Sequence, residues 1–135
     1  MAMTPILSHV DLRVRDRKRA EAFYEQLFTV LGGEKSAGKN WTTFGKVVDR
    51  GLTSGQDSHN WLGFTEDKNM TAGSARIALY APDRDTVNRV AELLPAIGAK
   101  EIEWDEGEYG EDYYAIFFLD LDGNALEVCC YESKE

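Results

Sequence analysis

Three side chains carry most of the chemistry that can be read from this sequence: Glu127, Arg76 and His9. Glu127 falls within the run Tyr113 to Tyr131, YYAIFFLDLDGNALEVCCY, which reads as two apolar strands joined by a tight acidic turn. A buried strand should not carry a charge, so this carboxylate is either neutralised by a partner or used as a functional group such as a general base. Arg76 is the obvious partner for an ion pair. Its planar fork equally suits a clamp on an anionic substrate group, a carboxylate or a phosphonate. His9 reads either as a hydrogen-bonded structural residue or as a working imidazole. Trp41, Tyr80 and Tyr114 belong to a set of aromatics that exceeds what the polar strand faces need, so they are read as pocket lining beside the alternative of plain core packing. Cys129 and Cys130 are adjacent in a strand and point to opposite faces, so they form no bridge with each other.

These residues need strands and helices to hold them. From Ile6 to Val14 the chain alternates, with Val10, Leu12 and Val14 on one face and His9, Asp11 and Arg13 on the other. Asp16 then caps a helix whose apolar positions Ala20, Phe23, Tyr24, Leu27, Phe28 and Leu31 keep three-four spacing, and Gly32 and Gly33 end it. Strands are expected over Trp41 to Val48 and Trp61 to Thr65, followed by a polar connector from Glu66 to Ser74. The first pattern then returns: a strand from Arg76 to Tyr80, a helix capped by Asp83 with Val87, Val90, Ala91, Leu94 and Ile97 inside, and Gly98 as its stop. Gap-free superposition places Arg76 on His9, Leu79 on Leu12, Asp83 on Asp16 and Leu94 on Leu27, an internal repeat of strand, helix and strands. A strand over Glu101 to Trp104, an acidic loop from Asp105 to Asp112 and the closing hairpin complete the second copy. With the oily faces under the helices, His9, Arg76 and Glu127 all lie on the face turned away from them.

Composition bounds the function. With 135 residues, 43% hydrophobic and 29% charged, the chain is read as one soluble domain over residues 1–135. A net charge of -9, from 15 Lys and Arg against 24 acids, excludes a nucleic-acid binder and an anionic membrane surface. The absence of a long apolar run or a signal-like start, with cysteines suited to a reducing compartment, places it in the cytoplasm.

SHVDLRVRD, a helix with AFYEQLF, the repeat, and the ending DLDGNALEV together resemble the vicinal oxygen chelate superfamily, which includes glyoxalases, bleomycin-resistance proteins, fosfomycin-resistance proteins and extradiol dioxygenases. The resemblance covers about residues 5 to 132. It implies an α+β fold of two βαβββ modules, about 5–66 and 74–132, forming an open eight-stranded half-barrel with helices on its convex side. Enzymes of the family hold a divalent metal on the inner face. Carried over, the ligands are His9 and Glu127, the ion Fe, Mn, Ni or Zn, and the chemistry Lewis-acid activation of vicinal oxygens in a lyase, isomerase or dioxygenase. The site is incomplete, because Arg76 occupies a ligand position and a guanidinium has no acceptor. The alternative is a non-enzymatic, bleomycin-resistance-type binder in which Arg76 and Glu127 neutralise each other and aromatics such as Trp41, Tyr80 and Tyr114 hold the small molecule. A homodimer is expected by analogy.

Overall fold

Alternating apolar positions followed by a capped amphipathic helix build the same unit twice. The computed structural model describes residues 6–48 and 58–131. In order these form β1 (His9–Val14), α1 (Arg17–Leu31), β2 (Glu34–Ala37), β3 (Trp41–Val48) and β4 (Ser58–Glu66). The second unit is β5 (Arg76–Tyr80), α2 (Arg84–Ile97), β6 (Lys100–Trp104), β7 (Tyr113–Leu119) and β8 (Ala125–Tyr131). The strands form two four-stranded sheets, ordered β1-β4-β3-β2 and β5-β8-β7-β6, so the expected α+β arrangement of two βαβββ modules is what the chain adopts. No helix among the described residues is long and apolar enough to cross a membrane.

Both helices begin and end as their sequences dictate. Asp16 accepts from the Arg19 backbone N–H at 3.1 Å and Asp83 from that of Thr86 at 2.8 Å. Hydrogen bonding to the Asp83 carboxylate holds its pKa below the ordinary value. Gly32 and Gly98 stop the helices at φ 86° and 90°, a left-handed conformation that a side chain would strain.

Each helix lays its apolar stripe on one face of its sheet, and α1 also packs on α2, so a continuous core runs beneath both. Its bulk is aromatic in the first module (Phe23, Tyr24, Phe28, Phe44, Phe64) and aliphatic in the second (Val87, Val90, Leu94, Ile116, Leu126, Val128).

The turn between β7 and β8 joins the modules. Asp120, 1% exposed, accepts from the backbone N–H groups of Asp122 and Asn124 at 2.8 and 2.9 Å, from the Asn124 amide at 2.9 Å, and from the Tyr24 hydroxyl of α1 at 2.5 Å. Asn124 also donates to the Arg13 carbonyl, and Arg15 reaches Asp122 and the Met70 carbonyl. Burial together with the Asp120 carboxylate pushes the Tyr24 hydroxyl well above the usual phenol range.

Candidate functional site

The face of each sheet turned away from its helix is set by the ladder register. In the first sheet His9 lies opposite Trp61, Asp11 opposite Gly63 and Arg13 opposite Thr65, while Gly63 is opposite Thr43 and Trp61 opposite Gly45. In the second, Arg76 lies opposite Ala125, Ala78 opposite Glu127 and Tyr80 opposite Cys129, with Glu127 also opposite Phe117.

The centre of the second sheet's open face is buried, while Arg76, Ala78 and Tyr80 along β5 are exposed. Glu127 is 7% exposed and its Oε2 is buried without a hydrogen-bond partner among the described residues. Burial pushes its pKa up, Arg76 pulls it down, and Asp105, whose N–H pairs with Ala115 at the end of the ladder, adds to the rise. Arg76 makes no ion pair with it within 4.0 Å; its guanidinium carbon instead sits 4.3 Å from the centre of the Phe117 ring, a cation–π contact. Beside them the Cys129 thiol is pushed up to about 11 by burial and by the negative charge of Glu127, which leaves it a poor nucleophile. Farther along, exposed Tyr80 packs near Tyr131, their ring centres 6.1 Å apart.

The first sheet's open face is a cleft of about 690 Å³. The His9 and Trp61 rings stack at 4.9 Å and 11°, with His9 Nε2 3.6 Å from Asp11 and Nδ1 3.2 Å from the Ser8 hydroxyl. Trp41 stands near the opposite end, 44% exposed.

The structure therefore brings Arg76 and Glu127 onto one face and His9 and Trp41 onto another, in different sheets. Among the described residues no three metal-binding side chains converge. Tyr114 lies on the helix side of β7, where its hydroxyl donates to Asn88 of α2 at 2.6 Å and Arg84 covers its ring, so it does not join Arg76. Sequence reading misses Asp11, Thr43, Gly63 and Phe117. Strand parity with His9 or Glu127 is the signal that marks them.

As a test of the family's metal, Glu127 supplies one orphaned buried oxygen, which favours a cation. The remaining donors do not complete a set: Arg76 has no lone pair to give, and the first-module strand that matches β8 carries Gly63 where β8 carries Glu127. The residues present do not fit a divalent ion.

Comparison with known proteins agrees with this architecture. The model of the Glyoxalase/Bleomycin resistance protein/Dioxygenase superfamily matches residues 6–128. Among solved structures, a glyoxalase/bleomycin resistance protein from Albidiferax ferrireducens T118 is similar at 21% identity and TM-score 0.73, over 93% of this chain and 98% of that one. The fosfomycin resistance protein FosX from Listeria monocytogenes is similar at 21% identity and TM-score 0.63, over 94% and 93%. A family enzyme from Burkholderia phytofirmans PsJN follows at 17% and 0.67, over 92% and 97%. No curated protein matches the chain.

Proposed function

The chain belongs to the Glyoxalase/Bleomycin resistance protein/Dioxygenase superfamily, and from that premise we propose that it is a small-molecule-binding member in which Arg76 provides a fixed positive charge at a position where family enzymes carry a metal ligand. The observation that carries this reading is the guanidinium held over Phe117 on the same face as Glu127. A charge placed on a ring, with no ion pair among the described residues, remains available to an anionic group of a ligand, a carboxylate or a phosphonate. Residues 1–135 act in this reading as one domain, and a homodimer is its assembly.

A metal-dependent lyase, isomerase or dioxygenase is the second reading, favoured by the unpartnered Oε2 of Glu127. Metal analysis separates the two. Protein purified without chelator and then exposed to Mn, Fe, Ni or Zn is expected to hold far less than one equivalent, and Arg76→His to gain metal. Methylphosphonate titrated calorimetrically is expected to bind at least tenfold more weakly to Arg76→Met. Stoichiometric metal in the wild type, lost in His9→Ala and Glu127→Gln, overturns the proposal.

A further inference from the structure

We propose that the open face of the first sheet binds a planar, electron-poor aromatic molecule, seated over Gly63 between Trp41 at one end and the stacked His9–Trp61 pair at the other. The register defines three successive rows across β1, β4 and β3: His9, Trp61 and Gly45; then Asp11, Gly63 and Thr43; then Arg13, Thr65 and Trp41. The tryptophans thus stand two rows and one strand apart, roughly 14 Å between Cα atoms from strand geometry. The row between them rises no higher than a threonine on its inner strands. That span suits a fused two- or three-ring system flanked by indoles.

The space is a property of this module. A Cβ on Gly63 would meet Thr43 Cγ2 at 3.1 Å and the Asp11 carboxylate at 3.4 Å, so any side chain there fills the floor. In the repeat the same register position is Glu127, and Phe117 takes the place of Thr43. The cleft volume, about 690 Å³, falls within the range of small-molecule sites. None of its lining residues belongs to the second sheet, which separates it from Arg76.

The walls select the chemistry of the guest. His9 lies in a parallel stack on the Trp61 ring with its Nδ1 3.2 Å from the Ser8 hydroxyl, so one wall is set before a guest arrives. Indole faces attract cations and electron-poor rings. Among the described residues the rim adds the carboxylates of Asp11 and Glu34 and the guanidinium of Arg13; the ammonium of Lys35 is already held by Glu21 at 2.9 Å and Glu25 at 3.8 Å. A chain of net charge -9 reinforces the preference for a cation.

The test uses the whole chain labelled with ¹⁵N and follows the three tryptophan indole N–H signals, assigned by single Trp→Phe variants, while N-methylquinolinium is titrated in. The Trp41 and Trp61 signals are expected to shift together and Trp104, outside the cleft, to stay fixed. Trp41→Ala, at an exposed position, is expected to weaken binding roughly tenfold, Gly63→Val to abolish it, and Arg76→Met to leave it unchanged. Naphthalene-2-carboxylate is expected to bind more weakly than the quinolinium, and cyclohexyltrimethylammonium, a cation without a flat face, not to shift the two signals. The proposal is overturned if Trp104 alone moves, if the cyclohexyl cation or the naphthoate binds as well as the quinolinium, or if no indole responds. It is equally overturned if the Trp41 and Trp61 signals move on dilution alone, since a second copy of the chain then covers the face. The metal and methylphosphonate measurements stand apart from every one of these outcomes.

Discussion

The two open faces descend from one plan and have been filled in opposite ways. Opposite the first strand of its module, β4 presents Trp61, Gly63 and Thr65, while β8 presents Ala125, Glu127 and Cys129. The next strand adds Thr43 in one module and Phe117 in the other. Small residues at the centre and large aromatics at the ends leave a cleft in the first sheet. A glutamate, a thiol and a phenylalanine take the centre of the second, where Ala115, Glu127 and Cys129 are all buried. The lesson is that the repeated backbone positions side chains without deciding what they do. One module carries a glycine-floored cleft, and the other carries two charged neighbours, Arg76 and Glu127, that make no ion pair with each other.

One buried contact ties the two modules together, Tyr24 of the first on Asp120 of the second, and the largest expected effect breaks that tie. Asp120 accepts four hydrogen bonds, three closing its own turn and one from Tyr24 of the other module. Asp120→Ala leaves buried donors without an acceptor and is expected to cost about 3 kcal/mol in chemical denaturation. A loss below about 1 kcal/mol would mean that the turn is held by its backbone alone.

How much of this was legible beforehand follows from how local each signal is. The helices were readable with their caps, since Asp16, Asp83, Gly32 and Gly98 act within one turn. The strand β2 was not, because all four of its residues are exposed and it shows no apolar alternation. The strand β4 starts earlier than its apolar run because pairing with Val47 and Val48 extends it to His59 and Ser58. Parity placed Arg76 and Glu127 on one face correctly, and the same parity sets Tyr114 beside Ile116 and Phe118 on the helix side. The turn at Asp120 read only as a turn, since its decisive partner, Tyr24, lies 96 positions away. No local pattern carries a contact of that range.

A smaller effect sharpens the same tie. Tyr24→Phe removes one hydrogen bond while Asn124 still donates to the same Asp120 oxygen, so a loss of about 1 kcal/mol is expected, well short of Asp120→Ala. The phenol adds a pH signature. Its folded pKa is raised, so above about pH 10 the unfolded chain releases a proton that the native chain keeps. Stability conferred by Tyr24 is full below that pH and falls as pH climbs. In an ultraviolet titration one of the six tyrosines should stay protonated until the protein unfolds. If all six ionise together in native protein, the bond to Asp120 does not form in solution.

The smallest effect bears on the second sheet's open face. Among the described residues Glu127 Oε2 accepts no hydrogen bond and the carboxylate makes no ion pair, so burial costs its charged form more than Arg76 returns, and its pKa is raised. A carboxylate whose folded pKa lies above the unfolded value favours the native state below the unfolded pKa. It loses that contribution as pH rises through the folded value. Glu127→Gln keeps the shape and removes the charge. It is therefore expected to stabilise the protein at pH 8, by less than about 1 kcal/mol, and to be neutral or slightly destabilising near pH 4. Denaturation curves at the two pH values measure the difference directly. A variant that is markedly less stable at pH 8 would show that Arg76 and Glu127 pair in solution, and the second face would then be a closed salt bridge with no charge left for a ligand.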